Sequence, residues 1–280
     1  MTGAMNTSPP AGSRDAEIEL ASYSYPDAGD QIPRQGIDPV WVIAGADWDE
    51  ADLLMVRRAA ALLSGGRALS CVDVGAGQGR LLPAVLAVAD EVTIIEPDAQ
   101  RLSAARDQAV GLDRERSHFL CTDLAGAKVG ATRFDLVVCS HVLQHLPTGQ
   151  RAGFLASLRS ITATDGLLVL MYSATSRGPG RLMLSEHLPG SGGVRTREVD
   201  TADFDRAAMP SRTTGPTNSL PVWHAGAGDV ESLLSQAAMT ILSRTLYRRF
   251  RAIIETAGRR HTRYGADVCI VSSPRADRSV

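Results

Sequence analysis

Aromatic side chains are scarce in this chain of 280 residues, which has three Trp, five Tyr and five Phe. An excess of either charge is missing too, because 29 Lys and Arg stand against 31 Asp and Glu, a formal net charge of −2. That balance excludes an overall field able to collect nucleic acid or an anionic membrane, so any basic partner site must be local. Cysteine occurs four times, as Cys71, Cys121, Cys139 and Cys269, with no short metal-ligand spacing and with apolar, strand-like neighbours each time. This excludes a disulfide framework and reads as reduced core thiols, which suits a cytoplasmic protein. No stretch reaches the roughly 18 uninterrupted apolar residues of a membrane span. The first residues, "MTGAMNTSPPAGSRDAE", lack the basic start and apolar run of a secretory signal and read as a disordered or lid-forming lead-in over residues 1–36.

What is present is an ordinary globular composition, 44% apolar and 21% charged, long enough for one domain with extensions. From about residue 49 the text is periodic. "WDEADLLMVRRAAALLSGG" opens with acids and sets Leu53, Val56, Ala60 and Leu63 at helical spacing, with Gly65 and Gly66 as its stop. "ALSCVDV" follows as a buried strand, then a glycine turn, then "GRLLPAVLAVAD" as a helix whose Pro83 lies near its start. "EVTIIEP", "DAQRLSAARDQAV", "SHFLCTDL", "FDLVVCS", "TGQRAGFLASLRSI" and "DGLLVLMY" continue the alternation of strand and helix. Near-continuous apolar strands alternating with helices predict a doubly wound α/β domain over residues 37–172, its sheet covered on both faces. After Tyr172 the pattern breaks, and residues 173–225 read as an inserted cap with short helices at "GRLMLSEHL" and "DTADFDRAA". Residues 226–280 then supply a helix, "GDVESLLSQA", and two strands, "MTILSRTLY" and "GADVCIVSS", pairing at the far edge of the sheet.

Ligands of an open parallel sheet lie beyond the carboxyl ends of its strands. The first strand ends in "DVGAGQGR", where glycine lets a ligand approach the backbone. A dinucleotide fingerprint would need glycine at position 80, which is Arg80, and the pattern is GxGxG. The second strand ends in Glu96, a carboxylate able to accept from both hydroxyls of a ribose. A nucleoside without a pyrophosphate fits these features, and a nicotinamide cofactor does not.

Together "VDVGAGQG", "IIEPD", "CTDL" and "FDLVVCSHVLQHLP" resemble the class I, Rossmann-like, S-adenosylmethionine-dependent methyltransferases, small-molecule type, and four motifs in this order make the resemblance specific over residues 49–172. The resemblance implies a seven-stranded, mostly parallel sheet in the order 3-2-1-4-5-7-6 and S-adenosyl-L-methionine as cofactor, and the cap read from the residues falls after strand five. It places Asp73 and the backbone of Gly75, Ala76, Gly77 and Gly79 at the methionine portion, Glu96 at the ribose and Pro97 near the adenine. Asp123 would accept from the adenine amino group beside the Leu124 amide, with Ser140 and His145 on the methionine side. Glu96 and Asp123 also admit a plain reading as solvated turn acids.

For the reaction, His141 follows strand four and is the candidate general base, or else a histidine that packs or binds substrate. Tyr172, at the end of strand five, is the second catalytic candidate, against simple packing. His141 and His145 in "HVLQH" could share a helix face as metal ligands, but no carboxylate or cysteine converges on them, and no metal is expected. Arg244, Arg248, Arg249, Arg251, Arg259, Arg260 and Arg263 form a cluster that either holds an acidic partner or protects a solvated edge strand. The expected function is methyl transfer to a small organic acceptor in specialised metabolism, with neither nucleic acid nor membrane as partner and a homo-oligomer left open. The alternatives are a non-methylating reaction such as a cyclisation on the same cofactor site, or a cofactor-binding subunit without turnover.

Overall fold

Strands that are apolar throughout need cover on both faces, and a computed structural model shows where that cover comes from. It describes residues 37–63, 68–112, 114–127, 129, 132–188, 193–209 and 219–275. The expected disorder or lid over residues 1–36, and the helix stop at Gly65 and Gly66, lie outside the described residues.

The strands are β1 (Ile37–Val42), β2 (Ser70–Val74), β3 (Glu91–Ile95), β4 (Ser117–Leu120), β5 (Phe134–Ser140), β6 (Thr162–Thr175), β7 (Arg181–His187), β8 (Val194–Glu198), β9 (Ser219–His224), β10 (Met239–Thr256) and β11 (Arg259–Pro274). The helices are α1 (Glu50–Ala60), α2 (Leu82–Val88), α3 (Ala99–Val110), α4 (Arg151–Ile161), α5 (Thr201–Ala208) and α6 (Asp229–Gln236). The strands form one sheet in the order β4-β3-β2-β5-β6-β11-β10-β8-β7-β9, with β1 paired to β10. From β4 to β6 the pairing is parallel, and β11 runs antiparallel to β6. One apolar layer, with Met55, Val56, Leu82, Val85 and Leu102, carries α1, α2 and α3. The opposite layer, with Leu155, Leu158, Phe204, Val230 and Leu234, carries α4, α5 and α6.

The described residues hold eleven strands in a mixed sheet, so the expected seven is corrected. The surplus comes from β1 and from the segment expected to be a separate, helical cap. "GRLMLSEHL" contains strand β7, whose Leu, Met and Glu suit a helix locally. Antiparallel ladders to β8 on one side and β9 on the other override that preference. The last two strands are longer than their apolar text, because the arginine-rich stretch is strand as well. Ala257 and Gly258, both at positive φ (50° and 73°), turn the chain tightly between them. Nor do they form the far edge, since β8, β7 and β9 continue the sheet beyond β10.

Several ties bind the segment after β6 to the core. Ala225 pairs with Ala174 as an isolated bridge, its amide donating to Ser173 O at 3.0 Å and its carbonyl accepting from Thr175 N at 2.9 Å. Asp205 of α5 accepts from the Thr148 amide at 2.8 Å and from its hydroxyl. The Arg151 guanidinium, almost buried at the start of α4, lies 4.0 Å from the Trp223 ring centroid and 5.2 Å from that of Phe204. A desolvated cation over an aromatic face is worth about 2 kcal/mol. Arg151→Met should therefore lower stability by about that amount. It should also speed amide hydrogen exchange in residues 201–208 and 219–224 more than in β5, measured by mass spectrometry.

Candidate functional site

The carboxyl ends of β2, β3, β4 and β5 open on a single cavity of about 1500 Å3. Strand order reverses between β2 and β5, the place where such sheets bind ligands. The loop after β2 reaches the cavity wall because its amides at Gly75 and Ala76 donate to Ile95 O, at 2.8 and 3.3 Å. Gly75 has φ +72°, and a side-chain carbon there would overlap Val142 Cγ2, so only glycine fits.

Two buried carboxylates face this loop. Glu96 Oε2 accepts from the Gly77 amide at 2.8 Å and Oε1 from the Asp98 amide at 3.0 Å. Each oxygen keeps a lone pair for a further donor, and burial raises its pKa against the pull of those amides. Asp73, with no exposed surface, has both oxygens without a hydrogen-bond partner. Burial first, then Glu96, push its pKa up to about 7 against the opposing influence of Arg80. An unpartnered buried carboxylate is costly to keep, and a ligand ammonium would complete it. Nearby, Ala76, Pro97, Leu124 and Ser140 line the cavity. Asp123 does so as well, while its Oδ1 caps a turn by accepting from the Gly126 amide at 2.7 Å. Gly79 is not part of the wall: at φ +86° it packs against Leu82 and Ala105, closing the turn onto α2 and α3.

The opposite half of the cavity holds a buried ionic network. Asp52 of α1 pairs with Arg80 and, at 3.2 Å, with Arg248 of β10. Burial opposes the charge on Asp52, but Arg248 and Arg80 outweigh it and hold the carboxyl well below its usual range. Arg248 also donates Nε to Asp267 Oδ2 at 2.9 Å and Nη1 to Trp48 O at 2.8 Å. Its position follows from a slip in the β10–β11 ladder between Leu246 and Arg248, which leaves Tyr247 and Arg248 buried in succession.

His141 lies where expected, on the cavity wall, but its ring is committed. Arg248 Nη2 donates to His141 Nε2 at 3.1 Å, so that nitrogen carries a lone pair and Nδ1 carries the proton. Nδ1 faces Gln144 Oε1 at 3.3 Å. Gln144 Nε2 faces His145 Nε2 at 3.4 Å, and His145 Nδ1 donates to Pro221 O at 2.6 Å. The donors thus run in one direction through both rings. Burial brings the His145 pKa down to about 4, so that ring is neutral. A proton from an acceptor would have to compete with Arg248 for that nitrogen. Leu143–His145 is a 3-10 turn, not the helix considered for "HVLQH".

Tyr172 is a further correction. Successive residues of β6 face opposite layers, so Ser173 lines the cavity while Tyr172 is buried on the other side with Cys139, Leu170 and Ile270. Burial, with Glu231 nearby, pushes its hydroxyl pKa up against the opposing pull of Arg244. Sequence reasoning missed Asp52, Trp48, Gln144, Tyr247 and His224. Asp52 had a signal: it stands three, four and seven residues before Met55, Val56 and Ala59 on the buried stripe of α1. Arg248 was hidden among six similar arginines.

The glycine loop, two acids near successive strand ends and a reversal of strand order together set a ligand cavity at the carboxyl edge of an α/β sheet. Residues 72–168 match the family model of a methyltransferase domain. No curated protein matches the sequence. A protein of Bacillus halodurans C-125 named as a putative methyltransferase is similar in structure at 14% identity and TM-score 0.56, over 81% of this chain and 100% of that one. The 1,6-didemethyltoxoflavin-N1-methyltransferase of Burkholderia thailandensis, with didemethyltoxoflavin and S-adenosylhomocysteine bound, is similar at 19% identity and TM-score 0.51, covering 91% and 100%. The glycopeptide N-methyltransferase MtfA in complex with S-adenosylmethionine follows at 17% and 0.52, over 79% and 87%. Residues 72–168 thus form a methyltransferase domain of the Rossmann-like kind, whose cofactor is S-adenosylmethionine.

A ligand ammonium beside Asp73 favours the carboxylate over the acid, so binding releases a proton wherever free Asp73 is protonated. Affinity for S-adenosylhomocysteine should therefore rise with pH up to about 7 and then level off. It should be about tenfold weaker near about pH 6 than near about pH 8. Calorimetry in buffers of different ionisation heat should detect the proton, and Asp73→Asn should bind more weakly and lose the slope.

Proposed function

We propose that this enzyme transfers the methyl group of S-adenosylmethionine to a small organic acceptor, in specialised metabolism. The observation that carries this reading is the continuity of the cavity. The strand-end acids Asp73, Glu96 and Asp123 line one half, and Trp48, Met183, Leu220, Val222 and Ala252 line the other. A volume of about 1500 Å3 exceeds the roughly 300–1000 Å3 of a site for one small ligand. The acceptor half is open, which favours turnover over a subunit that only holds cofactor.

In this reading Asp73 takes the methionine ammonium, Glu96 the ribose hydroxyls, and Asp123 with the Leu124 amide the adenine edge. Pro97 lies against the base, Gly75, Ala76 and Gly77 offer backbone, and Ser140 closes the methionine side. When bound, S-adenosylmethionine supplies a methyl group on a sulfonium, a leaving group already activated. What the protein must add is position, worth up to about 7–11 kcal/mol when two reactants are held in line. The fixed imidazoles of His141 and His145 serve that purpose as rigid wall. Specialised metabolism is supported by the similar enzymes that act on a glycopeptide and on a toxoflavin precursor. Among the described residues no helix is long and apolar enough to cross a membrane.

Incubation with methyl-labelled S-adenosylmethionine and a collection of phenols, amines and carboxylic acids should yield a labelled product. A product formed without consumption of the cofactor would instead select the cyclisation-type alternative. Glu96→Ala removes two hydrogen bonds to a charged acceptor, each about 1.5–3 kcal/mol. Affinity for S-adenosylhomocysteine should fall at least about a hundredfold by calorimetry, and an unchanged affinity would remove Glu96 from the ribose site.

A further inference from the structure

We propose that His224 anchors the acceptor, and that the acceptor is an uncharged molecule with an N–H or O–H donor on an apolar body. His224 ends β9, one residue before the Ala225 bridge to Ala174, so its backbone is fixed to the core sheet. Its ring, edge-on to Phe250 with centroids 5.6 Å apart, lines the cavity. The other two imidazoles of the cavity are satisfied at both nitrogens by Arg248, Gln144 and Pro221. No hydrogen bond joins the His224 ring to another described residue, so its acceptor nitrogen is available to a ligand.

The surroundings set the class of that ligand. Burial, with Arg181 adding to it and Asp267 opposing, brings the His224 pKa down to about 4. The ring is therefore neutral and accepts a hydrogen bond without carrying charge. Asp52, Arg248 and Asp267, the buried ions of this half, are already paired with one another or with Arg80. A charged acceptor would enter without a counterion, at a cost that an uncharged one avoids. Ser185 and Thr196, also on the wall, bond each other at 3.0 Å, and Met183, Leu220, Val222 and Ala252 complete an apolar surface.

The inference rests on the methyl-transfer reading for the division of the cavity, and the test separates the two. Phenol, aniline, toluene and benzoate are titrated into protein labelled with 15N-histidine, with and without S-adenosylhomocysteine. Phenol and aniline should shift one His224 ring nitrogen, toluene should bind without that shift, and benzoate should bind most weakly. His224→Phe, which keeps the packing against Phe250, should weaken phenol up to about tenfold while sparing toluene and S-adenosylhomocysteine. Failure of phenol to bind, a shift at His141 instead, preference for benzoate, or unchanged phenol affinity in His224→Phe would overturn the proposal. Failure of the parent protein to bind S-adenosylhomocysteine would count against the methyl-transfer reading alone, since phenol is also titrated without it.

Discussion

A carboxylate with no exposed surface, Asp52, is the constraint on which the rest of the site depends. Removing such a charge from water costs several kcal/mol, and it is tolerable only with good partners. Its partners come from far along the chain: Arg80 from the turn after the glycine loop and Arg248 from the long hairpin. The pair thereby ties the first helix and the two halves of the cavity to one another. Arg248 then passes the constraint on, through His141 and Gln144 to His145 and through Asp267 to the Ser173 hydroxyl at 2.7 Å. His141 accepts this arrangement at φ +58°, a backbone conformation that a non-glycine residue rarely adopts.

The parallel half of the sheet was legible because each of its strands is an unbroken apolar run between turn signals, and "FDLVVCS" coincides with Phe134–Ser140. The acids at strand ends were legible for a related reason. Asp73 and Glu96 are polar residues where apolar text stops, and both lie on the cavity wall. The segment after β6 was not legible, since the strands at Arg181–His187 and Val194–Glu198 carry mixed residues whose state is decided by ladders formed with distant partners. Tyr172 and Ser173 show the limit at the scale of one residue. Proximity to a strand end placed Tyr172 in the site, but the two-residue period of the strand gave that face to Ser173.

The half of the cavity away from the glycine loop is a continuation of the sheet, lined by residues of β1, β7, β8, β9 and β10 around the end of β6. Ile37 and Pro39 from β1 reach the same wall as Met183 and Thr196. Trp41, by contrast, is exposed on β1 and takes no part in it. The arginines of the hairpin divide in the same manner: Arg248 turns inward, Arg244 pairs with Glu231, Arg251 pairs with Asp38, and Arg249 faces solvent.

Because the chamber walls are also strands of the main sheet, chamber shape and foldability are inherited together. Met183 and Ala252 face the cavity and, with Ile254, also form a small apolar cluster of their own. A larger or more polar residue at either position changes the shape of the chamber and the contacts that seat β7 near β10 in one event. Change in chamber shape is thus channelled to wall positions outside that cluster, such as Val222 and Ala208, where a side chain can change without loosening it.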